Sequence, residues 1–222
     1  MKIKGAIFDF DGTLIDSLGF WEVLWKKLGM RYLNDVTFLP DADIEKKMRT
    51  LTLDGAMELL NSAYGFAKNG RELIDIANDL CRKFYEETVE LKAGAYELLS
   101  ALYDCGVRTC IASASSKEML SVVIERFKLS KLLPKIISCA DIGKGKEFPD
   151  VFIMAHEYLA TPKEETWIFE DSATALETAR RAGFKTVGVY DRHSLSQQEK
   201  VKENSTVYLG EGKDLFESVI YI

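Results

Sequence analysis

The sequence predicts an α/β fold in which a parallel sheet has helices on both faces and an all-helical segment interrupts the sheet after its first strand. Three observations lead to this prediction. The 222-residue chain opens with an apolar run, residues 17–90 show mainly helical periodicity, and strand and helix patterns alternate from about residue 91. A chain of this length suits one core domain that carries a modest insertion.

The first element is a strand over residues 3–9, and the helical segment follows it. Within that segment, four apolar residues recur at the 3.6-residue spacing of a buried helix face: Trp21, Leu24, Trp25 and Leu28. Asp16 or Ser17 is expected to cap this first helix, because short polar side chains accept the free N–H groups of a first turn. Residues 33–43, which include Pro40, are expected to form a connection.

After residue 91, helices alternate with five further short strands. These strands are predicted over residues 107–112, 135–138, 166–169, 186–189 and 206–209. Helices are expected over residues 93–104 and 173–182, and after a capping box formed by Ser115 and Glu118. Another helix is expected to open at Pro149. This rhythm implies parallel strands, because parallel neighbours need a crossover connection that is usually helical.

The change of pattern near residues 17 and 90 divides the chain into two domains. Residues 1–16 and 91–222 are assigned to the α/β core, and residues 17–90 to an inserted helical domain. The composition is that of a globular protein, with 47% apolar and 29% charged residues.

Charge and composition exclude several classes of function. The formal net charge is −6, from 29 Lys and Arg against 35 Asp and Glu, which argues against nucleic acid or an anionic membrane as partner. No uncharged run approaches the roughly 18 residues of a membrane helix. The four cysteines are widely spaced and are predicted to be reduced thiols. We therefore expect a cytoplasmic protein that is a monomer or a weak dimer.

Two carboxylates, Asp9 and Asp11, stand inside the first apolar run. An unpaired charge in a buried strand costs on the order of several kcal/mol, so something must compensate these acids. A divalent cation such as Mg²⁺ is a suitable candidate, because hard cations prefer carboxylate oxygens. Gly12 follows the pair and permits a tight turn.

Other polar side chains follow later strands. Ser113 and Ala114 end the strand that begins at residue 107, and Glu170 and Asp171 end the strand that begins at residue 166. Lys146 lies in a glycine-containing loop between them. Each has an ordinary interpretation as a helix cap or a surface charge. Because ligands of open parallel sheets bind at the carboxyl ends of the strands, their convergence favours a catalytic site.

These motifs resemble those of the haloacid dehalogenase (HAD) superfamily, and most closely those of its β-phosphoglucomutase-like phosphatases. The matching residues are the run 8–17, Ser113, Lys146 with Pro149 and Asp150, and the run 170–172. The resemblance covers essentially the whole chain. It implies a Rossmann-like core with a helical cap domain inserted after the first motif.

The resemblance implies a phosphatase that forms an aspartyl-phosphate intermediate. Asp9 would be the nucleophile, and Asp11 would protonate the leaving oxygen and then activate water. Ser113 and the backbone amide of Ala114 would bind the phosphate. Lys146 would neutralise charge on the nucleophile and the phosphate.

The resemblance also implies a Mg²⁺ site. Asp9, the backbone carbonyl of Asp11 and Asp171 would hold the ion, with Glu170 close by. The helical cap would close over the substrate, a small phosphorylated metabolite such as a sugar phosphate. An acid at position 11 favours phosphate ester chemistry, because the dehalogenases of this superfamily lack it.

The chain departs from the family pattern at three positions. Glu147 replaces a proline of the lysine motif, and the sequence indicates no role for it. Trp21 and Leu53 stand where the sugar-phosphate mutases carry His and Arg, which weakens a mutase interpretation. Lys47 and Arg49 remain as candidate cations of the cap. The alternatives are therefore a sugar-phosphate mutase and a non-catalytic phosphate-binding module.

Overall fold

The structure, a computed structural model, describes residues 3–48 and 51–222. Within these residues, one sheet contains the strands β1 (Gly5–Phe8), β2 (Arg108–Ser113), β3 (Ile136–Ser138), β4 (Thr166–Glu170), β5 (Lys185–Val189) and β6 (Val207–Leu209). Every neighbouring pair is parallel, and the order is β3-β2-β1-β4-β5-β6. The predicted parallel α/β fold is confirmed, and each strand begins and ends within two residues of its predicted span.

The α-helices are α1 (Phe20–Leu33), α2 (Ala42–Met48), α3 (Leu53–Tyr64), α4 (Gly70–Lys83), α5 (Ala95–Asp104), α6 (Lys117–Arg126), α7 (Cys139–Ile142), α8 (Asp150–Leu159), α9 (Ala173–Arg181) and α10 (Gln198–Glu203). A π-helical turn follows α4 at Phe84–Thr88. Short 3₁₀ segments lie at Lys163–Glu165, Arg192–Gln197 and Leu215–Ile220.

Both faces of the central strands are buried. Ile7 and Ile168 belong to a core cluster that also contains Phe152 of α8. The next residues along these two strands, Phe8 and Phe169, stack with ring centroids 4.5 Å apart. Since successive strand residues point to opposite faces, this alternation of buried side chains requires helices on both sides of the sheet.

The chain forms two compact units. One contains Met1–Ser17 and Val89–Ile222 and includes the whole sheet. The other contains Leu18–Thr88 and consists of α1 to α4 with the π-helical turn. The assignment of the second unit as a cap stays a prediction.

The predicted cap of α1 is wrong. Gly19 precedes this helix, and no side chain caps it, so neither Asp16 nor Ser17 has that role. Ser17 instead donates its hydroxyl to Asp11 at 2.8 Å. A hydrogen bond to a carboxylate is stronger than one to a neutral group, so the acid is the preferred partner.

The predicted capping box of α6 is also wrong. Ser116 precedes α6, and its side chain accepts the backbone N–H of Met119 at 3.4 Å. The neighbouring Ser115 donates its hydroxyl to Asp11 at 2.7 Å. As at Ser17, the carboxylate of Asp11 is the partner in place of a local cap, and here it comes from a distant part of the chain.

The four cysteines are free thiols, and Cys105 is the exposed one. Burial raises the pKa of Cys110 to about 12, so this thiol stays protonated near neutral pH. Among residues 3–48 and 51–222, no helix combines the length and apolarity needed to cross a bilayer.

Candidate active site

The carboxyl ends of β1 and β4 are adjacent in the sheet, so their terminal residues meet at one edge. The Asp9 N–H donates to the carbonyl oxygen of Phe169 at 2.9 Å, which extends the strand pairing one residue beyond β1. Asp9 is therefore fixed beside Glu170 and Asp171. On the other side of β1, Ser113 ends β2.

Three carboxylates form a buried cluster at this edge. One side-chain oxygen each from Asp9, Glu170 and Asp171 lies within 4.8 Å of the other two. The three residues are only 5%, 1% and 7% exposed. Such a cluster of oxygen donors is unstable when fully ionised, unless cations balance it.

Lys146 supplies one of these cations. Its ammonium group bonds Asp9 Oδ1 and Glu170 Oε2, the latter at 2.7 Å, and its side chain is 12% exposed. Burial by itself would lower the pKa of Lys146, but the two adjacent carboxylates outweigh it and raise that pKa. Lys146 is therefore a permanent positive charge between Asp9 and Glu170.

The lysine does not neutralise the cluster. Burial, followed by repulsion from Glu170, raises the pKa of Asp9 from 3.8 to about 7 despite the contact with Lys146. Burial and the charges of Glu170 and Asp9 also hold the pKa of Asp171 well above its ordinary range. The site therefore favours a further cation, which would allow all three acids to ionise.

A tight turn connects Asp9 to the rest of the first motif. The N–H groups of Leu14 and Ile15 donate to the Phe10 carbonyl oxygen at 2.9 and 3.1 Å. Gly12 has φ of +81°, and a Cβ at this position would lie 2.5 Å from Asp171 Oδ2. Glycine is therefore required both for the backbone conformation and for the close approach of Asp171.

Asp171 is also held by Thr13, which donates its hydroxyl to Asp171 Oδ1 at 3.1 Å. Glu170 is held in a different way, because its Oε1 accepts the N–H groups of Asp171 and Ser172 at 3.2 and 3.0 Å. Both oxygens of Glu170 thus have partners, one from the backbone and one from Lys146.

Asp11 stands apart from the carboxylate cluster. Its two oxygens accept the hydroxyls of Ser17 and Ser115 at 2.8 and 2.7 Å. The side chain is partly exposed. Asp11 is therefore oriented by two hydroxyls and remains accessible, as an acid or base that exchanges protons with a ligand must be.

The predicted phosphate-binding residues lie at the end of β2. Ser113 is buried, and its hydroxyl oxygen accepts the N–H of Ser115 at 3.1 Å. Ala114, between them, is exposed. Glu147, beside the lysine of the site, is also exposed. The roles of Ser113 and Ala114 toward a phosphate stay predictions.

In the helical unit, Trp21 is partly exposed and lies against Trp25, with ring centroids 5.3 Å apart. Leu53 begins α3 and is partly exposed. Lys47 is exposed, whereas Arg49 lies outside the described residues. Trp21 therefore contributes to packing within the helical unit.

Sequence reasoning missed the hydroxyl partners of the acids, namely Thr13, Ser17 and Ser115. Thr13 and Ser17 lie within the run 8–17, which identifies their positions but not their acceptors. Ser115 follows the end of β2, where a serine is ordinarily a helix cap. A search for hydroxyls near each predicted acid at the sheet edge could have indicated all three.

This geometry agrees with a family assignment. The profile of the haloacid dehalogenase-like hydrolase family matches residues 6–189. The chain therefore belongs to this family, and the resemblance drawn from the motifs is confirmed.

Individual relatives are more distant. Hexitol phosphatase A of Escherichia coli is 26% identical over 196 residues, covering 85% of this chain and 84% of that protein. β-Phosphoglucomutase of Bacillus subtilis is 24% identical over 197 residues, covering 84% and 83% of the two chains. A crystal structure of a CbbY mutant from Rhodobacter sphaeroides in complex with xylulose-(1,5)bisphosphate has a TM-score of 0.75 at 17% identity and covers 93% of each chain. That structure shows the shared fold.

Proposed function

We propose that the protein is a Mg²⁺-dependent phosphatase that hydrolyses a small phosphorylated metabolite through an aspartyl-phosphate intermediate. The observation that carries the proposal is the buried cluster of Asp9, Glu170 and Asp171 with Lys146 bonded to two of its members. Asp11, held by two hydroxyls beside this cluster, supplies a separate acid.

The residues of the cluster fit a magnesium ion. They offer carboxylate oxygens only, which are the ligands that hard divalent cations prefer. Burial, followed by repulsion from Glu170, raises the pKa of Asp9 to about 7 even beside Lys146, so the site gains from a further cation. Asp9, Asp171 and the backbone carbonyl of Asp11 would hold the ion, with Glu170 near it. When bound, the ion would offset negative charge on the phosphate and on the carboxylates.

In the first step, a carboxylate oxygen of Asp9 attacks phosphorus, and the bond from phosphorus to the leaving oxygen breaks. Asp11 transfers a proton to that oxygen, so the alcohol leaves neutral. In the second step, Asp11 removes a proton from water, which attacks the aspartyl-phosphate. Inorganic phosphate leaves, Asp9 is regenerated as a carboxylate, and Asp11 is again protonated.

Lys146 orients Asp9 through its bond to Oδ1 and keeps a positive charge beside the transferring group. Ser113 and the Ala114 backbone amide would contact the phosphate oxygens from the end of β2. Phosphoryl transfer depends mainly on such positioning and charge stabilisation, which these residues would supply together with the bound ion.

The direct test compares Asp9→Asn with wild type in Mg²⁺ and p-nitrophenyl phosphate. The variant keeps the shape of the side chain but lacks the nucleophilic carboxylate, so turnover should be lost. Asp75→Asn is a matched control, because Asp75 lies outside the matching motifs, is exposed and pairs with Arg71 at 3.1 Å. Near-normal turnover by Asp9→Asn would overturn the mechanism.

A phosphomutase is the second candidate, and the similarity to a protein named β-phosphoglucomutase favours it. Trp21 and Leu53 count against it, because they replace the polar residues that the family resemblance predicts for a mutase. The two functions differ in product. A phosphatase releases phosphate in proportion to substrate consumed, whereas a mutase yields an isomer that retains phosphate.

A panel of phosphorylated metabolites, including hexitol and sugar phosphates, would identify the substrate class. The relative named hexitol phosphatase supports beginning with polyol phosphates. Size-exclusion chromatography and cell fractionation would test the predicted monomeric or weakly dimeric state and cytoplasmic location.

A further inference from the structure

A buried ion pair, separate from the contacts of Lys146, lies in the sheet-containing unit. Lys92 Nζ is 2.8 Å from Asp191 Oδ2, and the side chains are 14% and 1% exposed. The same ammonium group donates to the Tyr190 carbonyl oxygen at 2.8 Å. Asp191 Oδ1 accepts the His193 N–H, also at 2.8 Å. Lys92 is thus attached firmly to the segment that follows β5.

The backbone of Lys92 is attached elsewhere. Its N–H donates to the Leu14 carbonyl oxygen at 2.9 Å. The preceding residue, Leu91, forms an antiparallel bridge with Ile15. Lys92 therefore connects two parts of the chain. Its main chain contacts Leu14, near the end of the run 8–17, and its side chain contacts the segment that follows β5.

The end of the first motif is coupled to its acid. Leu14 and Ile15 donate to the Phe10 carbonyl oxygen, and the Ile15 carbonyl oxygen accepts the Gly12 N–H at 3.0 Å. Ile15 also forms a parallel bridge with Asp11. A displacement of Leu14 and Ile15 would consequently shift the backbone of Asp11.

We propose that Lys92 is a positioning residue that, through Asp191, fixes the turn carrying Asp11 for proton transfer to the leaving oxygen. The inference rests on the proposed phosphatase function. A buried ion pair is weak evidence for stability, because desolvation offsets its attraction. The pair of Lys92 and Asp191 also connects the turn that carries Asp11 to the segment that follows β5, and stability alone does not explain that connection.

The test must separate positioning from stability. Lys92→Met leaves Asp191 buried without its cation, which destabilises the fold whatever the role of the pair. The double variant Lys92→Met/Asp191→Asn removes both charges, and the new amide oxygen can still accept the His193 N–H. If the pair is only structural, activity should recover together with stability. If it positions Asp11, the catalytic defect should persist in a stable protein.

The readout is kcat/KM for two substrates, p-nitrophenyl phosphate and glycerol phosphate, with the melting temperature measured in parallel. The p-nitrophenolate ion leaves without a proton, whereas an alkoxide needs one from Asp11. We expect the double variant to lose about tenfold to a hundredfold on glycerol phosphate, the range for a displaced catalytic group. Its kcat/KM for p-nitrophenyl phosphate should be nearly unchanged.

Lys213→Met is the matched control, because it removes another lysine of the same unit, one that pairs with Glu217 at 2.5 Å with 57% of its side chain exposed. It should affect neither substrate. An unchanged ratio between the two substrates in a folded double variant would overturn the inference, even if Lys92→Met alone fails to fold. If wild type hydrolyses neither substrate, the proposed function fails first and this inference with it.

Discussion

Replacing Asp9 with Asn should stabilise the metal-free protein above neutral pH while it removes the proposed nucleophile. Burial and the charge of Glu170 raise the pKa of Asp9 from 3.8 to about 7, so ionised Asp9 destabilises the folded state. Asn has a similar shape and carries no charge at any pH. The free energy of unfolding should therefore be higher for the variant wherever Asp9 is ionised in the folded wild type.

The size of the effect follows from the pKa difference. Each pKa unit corresponds to about 1.4 kcal/mol, so the change from 3.8 to about 7 gives an upper value on the order of 4 kcal/mol. Between these two pKa values the folded protein binds more protons than the unfolded chain, so its stability falls as pH rises. The advantage of Asp9→Asn should therefore be near zero at pH 4 and complete above about pH 7.

The assay is urea denaturation of both proteins in EDTA across this pH range. Asp150→Asn serves as the control. The hydrogen bond from Lys144 lowers the pKa of Asp150, so this substitution should bring no gain at high pH. An advantage of Asp9→Asn that does not change with pH, or a wild type that is the more stable protein at pH 8, would refute the electrostatic reasoning.

Three further variants test other contacts of the site. Gly12→Ala should lower the free energy of unfolding by more than about 1 kcal/mol and should weaken Mg²⁺ binding measured by calorimetry. The reasons are that the new methyl group meets the Asp171 carboxylate and that φ is +81°. Unfolding and Mg²⁺ binding equal to those of the wild type would contradict this prediction. Lys146→Met should destabilise the metal-free protein by about 3–5 kcal/mol in urea denaturation, since two buried acids lose their shared cation; a stable variant would show that the acids are protonated instead. Ser115→Ala should reduce kcat about tenfold, which corresponds to about 1.4 kcal/mol, because Asp11 loses a hydroxyl donor. An unchanged kcat with an alkyl phosphate substrate would contradict this prediction.

The sheet could be predicted from the sequence because its strands are short apolar runs with clear ends. Residues 166–169 and 186–189 are buried on both faces, as parallel strands covered by helices require, and the structure places strands there. The parallel order then determines which strand ends are neighbours. Once β1 and β4 are adjacent, Asp9 and Asp171 have to share one edge of the sheet.

The hydrogen-bond partners of the acids could not be predicted in the same way. The sequence predicts that Ser115 and Ser17 cap helices, because a helix cap is the kind of partner that a local sequence pattern indicates. In the folded protein, Asp11 offers both hydroxyls a charged acceptor, and Ser115 is 104 positions away from it in the chain. Lys92 and Asp191 likewise meet across 99 positions, and neither has a distinctive local pattern.

The acids of the site make many polar contacts because their negative charges are only partly balanced by nearby cations. Lys146 bonds two of the three buried carboxylates, and burial together with the charge of Glu170 still raises the pKa of Asp9 to about 7. A site that balanced all of these charges with lysines would have less capacity for a metal. Negative charge is thus left for the proposed divalent cation to offset, and contacts such as the hydrogen bond from Thr13 to Asp171 hold the acids in place without it.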